Sequence, residues 1–133
     1  MSATATALMG LVMWSVVLTF VLLFARVGAV MAGQKALNNF SPDGTDLSEA
    51  GHRITRAHAN SLEYLALPVG VLGLAILTGQ EAVTNGTAMI YLGCRAAQSV
   101  FHIISTAVPM VMIRATLFTV QIGLLIYWAI NLI

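Results

Sequence analysis

The sequence predicts an all-α integral membrane protein, a single bundle of four transmembrane helices over residues 1–133. Of its 133 residues, 59% are hydrophobic and only 8% are charged, whereas a soluble domain carries about 25% charged residues. The apolar residues fall into four long runs, each near the roughly 20 residues that cross a bilayer. The net charge of +1 comes without any basic run, so we expect no nucleic-acid partner.

The first predicted span covers residues 5–32 and opens with an uncharged apolar run from Ala5 to Ala25. No basic region precedes this run, which is longer than the roughly 7–15 apolar residues of a signal peptide. We therefore expect an uncleaved helix. Arg26, near its end, has two interpretations: its side chain extends to the membrane interface, or it faces a ligand.

A polar connection over residues 33–51 follows the first span. Within it, Ser41–Gly44 predicts a turn, because Pro presets φ, Asp bonds back to the backbone and Gly accepts a positive φ. Thr45 or Ser48 is expected to cap the next helix, since a hydroxyl accepts a hydrogen bond from a free backbone N–H there.

The second predicted span covers residues 53–78, with Pro68 expected to kink it. Gly70 and Gly73 are expected to allow close packing of a neighbouring helix. At 100° per residue, five polar side chains of this span share an arc of roughly 100°: Arg53, Arg56, Asn60, Glu63 and Tyr64. His58 lies opposite Arg56. Such a stripe is too polar to face lipid.

The third predicted span covers residues 88–108, and the fourth covers 110–133, after a break at Pro109. The third carries another polar stripe within roughly 100°: Tyr91, Arg95, Gln98, Ser99, His102 and Thr106. Arg114 is placed in the first turn of the fourth span. Glu63 and Arg95 lie at similar predicted depths, and an unpaired charge there costs about 2.5–3.5 kcal/mol. We therefore expect them to form an ion pair.

Basic residues also predict the orientation in the membrane. The first and third connections, with their helix ends, hold Lys35, Arg53, Arg56 and Arg114, whereas the opposite side holds only Glu81. The excess of basic residues favours the cytoplasmic side, so both termini are expected outside the cytoplasm. The three histidines show no i, i+4 pair on one helix face, so we expect no metal site.

The basic side also suggests a ligand. Arg53, Arg56 and Arg114 exceed the carboxylates available to neutralise them, and Asn60 and Tyr64 add hydrogen-bonding groups. This combination suits an anionic, peptide-like or phosphate-bearing ligand. The alternative is that the arginines only reach toward lipid headgroups.

The segment Arg53-x-x-Arg56-Ala57-His58-x-Asn60-x-x-Glu63-Tyr64, which enters an apolar helix with Pro68, resembles a known family signature. It is similar to that of the membrane-associated proteins in eicosanoid and glutathione metabolism (MAPEG), which include microsomal glutathione transferases and leukotriene-conjugating synthases. Tyr91-Leu-Gly-Cys-Arg95 also resembles the family's third-helix segment. The resemblance extends over essentially the whole chain.

The resemblance implies a homotrimer that binds glutathione between neighbouring subunits near the cytoplasmic side, with the polar stripes facing a subunit junction. It implies glutathione transfer or peroxide reduction on a lipophilic electrophile or hydroperoxide. Carried over by position, the glutathione-binding candidates are Arg53, Arg56, Asn60, Glu63, Tyr64, Arg95 and Gln98. Arg114 is the leading candidate for activating the thiol, with His102 and Tyr64 as further catalytic candidates.

The chain also departs from the family pattern. Gln98 and His102 stand where the conjugating synthases have a tyrosine pair, and their thiol-activating arginine has no clear counterpart here. The stretch from Arg95 to His102 resembles a bacterial branch, which implies a bacterial inner membrane. These departures keep open a non-catalytic trimeric scaffold or lipid-binding protein. A small transporter is a weaker alternative, because the chain shows no internal repeat.

Overall fold

The computed structural model describes residues 1–36, 38–45 and 47–133, and the helices are the only regular elements in those ranges. The five α-helices are α1 (Ala3–Met31), α2 (Glu49–Glu63), α3 (Ala66–Leu77), α4 (Ala88–Ile104) and α5 (Val108–Leu132). A 3-10 turn, Glu81–Val83, precedes α4. The α1 helix, the α2–α3 unit and α5 are each long and apolar enough to cross a membrane, and α4 is a shorter apolar helix. The chain is therefore an integral membrane protein.

The second span is broken between α2 and α3, as Pro68 predicts. Pro68 has no N–H to donate to the carbonyl of Tyr64, four residues earlier. The chain tightens at this point, where the Leu65 N–H donates to the Leu62 carbonyl at 3.3 Å. The expected close packing at Gly70 and Gly73 is wrong within the chain, because an added Cβ would meet no atom within 4 Å at either position.

The connection between α1 and α2 contains the predicted turn and cap. The Gly44 N–H donates to the Ser41 carbonyl at 3.2 Å, and Gly44 has a φ of 73°. Ser48 is the N-cap of α2, and its hydroxyl accepts from the Gly51 N–H at 3.2 Å. Hydrogen bonds from the side chain of Ser41 and from the backbone and side chain of Thr45 lower the pKa of Asp43 to about 2. The predicted turn and the predicted helix cap are therefore both confirmed.

The α4 helix is the centre of the bundle and packs against α1, α2 and α5. Gly10 permits a close approach of α1 to α4, since a Cβ there would lie 2.6 Å from Leu92 Cδ2. The buried apolar core contains small and large side chains from all four spans: Ala7, Leu11, Leu72, Ala75, Ala88, Tyr91, Leu125, Trp128 and Leu132.

Hydrogen bonds close one end of the bundle, which we call the turn end: Thr4, Thr84, Asn85, Thr87 and Trp128. The Thr4 hydroxyl bonds to the hydroxyl of Thr84 and donates to Asn85 Oδ1 at 2.7 Å. Trp128, which is fully buried, donates from Nε1 to Thr87 Oγ1 at 2.8 Å. These bonds join the start of α1 and the end of α5 to the connection before α4.

The boundary between α4 and α5 lies earlier than Pro109. The α4 helix ends at Ile104, Ser105 is extended, and α5 begins at Val108. Proline is tolerated in the first turn of a helix, where its missing N–H has no partner to lose. Thr106 therefore lies outside α4 and off its polar stripe, and Arg114 lies in the second turn of α5 instead of the first.

Candidate functional site

Four polar side chains form a buried network, the polar ladder: Asn60, Arg95, Gln98 and Gln121. Arg95 is only 3% exposed and donates from Nη1 to Asn60 Oδ1 at 3.1 Å. Gln98 donates to the same oxygen at 3.4 Å. The helical spacing of the α4 stripe explains this geometry, because Arg95 and Gln98 are three residues apart on one face. The stripe thus faces the chain's own interior, between α2 and α5.

Gln121 completes the ladder from α5, and the sequence analysis did not identify it. Its Nε2 donates to Gln98 Oε1 at 2.7 Å and to the Leu117 carbonyl at 3.1 Å. Gln121 is fully buried, and its own Oε1 has no hydrogen-bond partner among the described residues. An amide in the middle of a largely apolar span was the available signal, since such groups usually face the bundle interior.

The expected ion pair between Glu63 and Arg95 is wrong within the chain. Glu63 is exposed, and the partner of Arg95 is the amide of Asn60. The guanidinium also lies over the Tyr64 ring, 5.8 Å from its centroid. A ring face and an amide oxygen stabilise the buried cation without the desolvation of a carboxylate that an ion pair would require.

Beside the ladder is an open groove between α2, α4 and α5, with a volume of about 250 Å³. It is lined by Asn60, Tyr64, Gln98, Val111, Arg114, Ala115 and Phe118. Tyr64 and Phe118 meet edge to face, with ring centroids 5.0 Å apart, and form its aromatic wall. The groove therefore presents amide, phenol and guanidinium groups beside an apolar surface.

Arg114 is the charged group of the groove. Its Nε is buried and has no hydrogen-bond partner in the described part of the chain. His102, on α4, lies close enough to interact electrostatically with Arg114, Arg56 and His52. We call the region of Arg53, Arg56, His102 and Arg114 the basic end of the bundle. Its positive charge favours an anion.

The other predicted site residues are divided between protein contacts and solvent. Arg53 donates from Nε to the carbonyl of Ile103 at 2.8 Å, so it satisfies a free carbonyl in the last turn of α4. Arg56 is exposed. His58 lies against α1, where its Nε2 is 3.0 Å from Thr19 Oγ1, which confirms that it points away from the polar stripe.

The groove can therefore bind an anion or a strong hydrogen-bond acceptor at Arg114, with an apolar group against Phe118. Metal chemistry has no comparable support, since no three His, Cys, Asp or Glu side chains converge among the described residues. Of the predicted candidates, the groove brings together Asn60, Tyr64, Gln98 and Arg114. It does not include Arg53, Arg56, Glu63 or His102.

Comparison with known proteins gives one match. The family model described as the MAPEG family matches residues 4–133, almost the full chain. No curated protein and no solved structure shows a significant match.

Proposed function

The chain belongs to the MAPEG family, and from that premise we propose that it binds glutathione in the membrane. The proposed reaction is transfer of glutathione to a lipophilic electrophile, or reduction of a lipophilic hydroperoxide. Family membership supports a glutathione-related function of this type in general terms. The substrate and the residues that act on it are the more specific part of the proposal.

The observation that carries the proposal is Arg114, which lines the groove and whose Nε has no hydrogen-bond partner among the described residues. A buried Nε–H without an acceptor is costly, and a charged donor more so. Its Nε has no acceptor among the described residues, while the side chain lines an open groove. An anionic ligand in this groove would bind the outer nitrogens of the guanidinium and neutralise its charge.

A thiolate is an appropriate anion for this position. Lowering a thiol pKa from about 8.5 to about 6.5 requires about 2.7 kcal/mol of preferential stabilisation of the anion. A guanidinium in a partly dry site can provide this, because it stays charged and donates several hydrogen bonds. Glutathione would supply the nucleophilic sulfur, and Arg114 would hold it as thiolate. His102 and Tyr64 are weaker candidates for the same role.

The remaining residues divide between binding and support. Asn60 and Tyr64 line the groove and would contact the peptide, while the exposed Arg56 would attract its carboxylates. Arg95 and Gln98 would act mainly by fixing Asn60, through the bonds of the polar ladder. The apolar substrate would approach from the bilayer, along the wall of Phe118.

We also propose that the site is completed in a homotrimer. The groove, at about 250 Å³, is below the roughly 300–1,000 Å³ typical of small-molecule pockets. Arg56 and Glu63 are both exposed beside it. A neighbouring subunit would add the missing wall and bring both side chains into the site, and Arg53 with them.

For the membrane, we propose a bacterial inner membrane with the basic end toward the cytoplasm and both termini on the other side. The bond between Arg53 and the Ile103 carbonyl places the start of α2 beside the end of α4. The basic residues of both connections thus lie at one end of the bundle. This arrangement agrees with the rule that cytoplasmic loops are rich in basic residues.

Thiolate absorbance tests the proposal directly. The purified protein is titrated with glutathione, and ultraviolet absorbance of bound thiolate is recorded across pH. We expect a saturable thiolate signal that Arg114→Gln removes, while Lys35→Gln, a matched loss of a cation outside the groove, leaves it unchanged. No binding at millimolar glutathione would contradict the proposal. Equal signals from wild type and Arg114→Gln would exclude Arg114 as the activating group.

One observation favours a second candidate, a trimeric protein that binds glutathione or lipid without turnover. Gln98, which stands where the resemblance places a family tyrosine, donates to Asn60 and accepts from Gln121 in the polar ladder. It is therefore less available to a reacting substrate than a free phenol would be. Saturable glutathione binding without a thiolate signal would support this candidate.

A further inference from the structure

Arg26 is a second arginine with a buried, unpartnered Nε, and it lies on a different face of the bundle from the groove. We propose that Arg26 binds the headgroup of an anionic phospholipid on the outer surface of α1. The proposal is independent of glutathione binding.

The first support is that the described residues supply no counter-charge for Arg26. The structure gives its guanidinium no hydrogen-bond acceptor and no carboxylate partner among the described residues. The guanidinium makes a cation–π contact with Phe40, its carbon lying 5.6 Å from the ring centroid. His58 interacts electrostatically with Arg26, but His58 is basic and does not neutralise the arginine's charge.

The second support is position. Arg26 is on α1 five residues before the helix ends at Met31, which is about 8 Å at 1.5 Å per residue. A guanidinium this close to a helix end can extend its side chain toward the lipid headgroups, whose phosphates carry the negative charge that it lacks.

The third support is the shape of the surface on both sides of Arg26. One groove, of about 170 Å³, is lined by Leu23, Arg26, Val27, Val30 and Phe40. A second, of about 150 Å³, is lined by Thr19, Leu22, Leu23 and Arg26. Arg26 is common to both, so its charge lies between two small concave surfaces.

The fourth support is that the surroundings are apolar and exposed. Beside Arg26, the α1 surface presents Leu23 and Val27, which line a groove with it and are 50% and 41% exposed. A small free anion would leave this surface uncovered, whereas the acyl chains of a phospholipid would cover it. Charge at one point and apolar surface beside it therefore favour an anionic amphiphile.

Native mass spectrometry of the detergent-purified protein tests this proposal. The protein is equilibrated with mixed micelles of equal phosphatidylglycerol and phosphatidylcholine, and bound lipid is counted. We expect wild type to retain phosphatidylglycerol about tenfold over phosphatidylcholine, the effect of one charged hydrogen bond. Arg26→Gln should lose the preference, Arg26→Lys should keep part of it, and Lys35→Gln should keep all of it.

Three outcomes would overturn a phospholipid site at Arg26. The first is a wild-type protein without lipid preference, whether or not Arg26→Gln folds. The second is loss of the bound lipid in excess inorganic phosphate, which would identify a free-anion site. The third is that wild type retains no lipid and that Arg26→Gln changes the oligomeric mass. Another copy of the chain would then supply the counter-charge.

Discussion

The two ends of this bundle use polar groups in opposite ways. At the turn end, Thr4, Asn85 and Trp128 have their hydrogen-bonding groups satisfied across α1, α5 and the connection before α4. Toward the basic end, the buried Nε groups of Arg26 and Arg114 and the Oε1 of Gln121 have no partner in the ranges that the structure describes. The turn end is complete within one chain, whereas the basic end is not.

The turn end therefore stabilises the fold, whereas the basic end is where binding of an external partner is expected. Satisfied groups in a membrane protein hold helices together, although each bond contributes only about 0.6 kcal/mol on average. Unsatisfied charged donors cost free energy in the isolated chain, and they persist where an external ligand, lipid or subunit supplies the acceptor. We therefore expect substitutions at the turn end to change unfolding, and substitutions at the basic end to change binding.

The largest expected effect is from Trp128→Ala at the turn end. Trp128 is fully buried against Tyr91, with ring centroids 5.4 Å apart. Removing the indole should lower the free energy of unfolding by about 3–5 kcal/mol through the cavity it leaves. Denaturant titration in detergent micelles measures this. Trp128→Phe is the control, because it keeps most of the packing and loses only the bond to Thr87.

A smaller effect is expected from Thr4→Val, which keeps the shape of the side chain and removes its hydroxyl. The bonds to Thr84 and Asn85 are lost, and we expect about 1 kcal/mol of destabilisation in the same titration. Thr6→Val is the matched control on the same helix, since Thr6 is exposed. Equal effects from the two variants would contradict a specific role for the turn-end bonds.

Gln121→Leu in the polar ladder should have less effect still on unfolding. The substitution removes one buried unpartnered oxygen and leaves another, Gln98 Oε1, in its place. We expect a change below about 1 kcal/mol, together with weaker glutathione binding as Gln98 and Asn60 lose their fixed positions. A loss of several kcal/mol would show that the ladder stabilises the bundle as the turn end does.

The sequence predicts much of the scaffold and less of the site. Apolar runs and helical periodicity predict the spans, the break at Pro68 and the inward face of Arg95. They give the direction of a side chain and not its partner, so the bond of Arg95 to Asn60 in place of Glu63 required the packed helices. The boundary between α4 and α5 was predicted at Pro109, which is too late in the chain, because proline is tolerated in the first turn of a helix. Gln121 was passed over in an apolar span.

The smallest effect concerns Asp43, in the connection between α1 and α2. Its pKa is lowered to about 2 from 3.8, so the folded state favours the carboxylate. The contribution of the ionised Asp43 to folding stability is complete above about pH 4 and is lost as the pH falls through about 2. We expect hydrogen exchange at Thr45 N–H, which bonds to Asp43, to stay slow to about pH 3. Asp43→Ala should abolish this protection at every pH.

Thermal unfolding with and without glutathione is the decisive test of the separation between the two ends. Ligand at a hundred times its Kd stabilises the folded state by about 2.7 kcal/mol. For wild type, we expect a raised Tm on adding glutathione. For Thr4→Val, we expect a lower Tm with the same rise, and for Arg114→Gln a Tm without ligand at least as high as that of wild type and no rise on adding glutathione. A rise that Arg114→Gln retains, or that Thr4→Val loses, would contradict this separation.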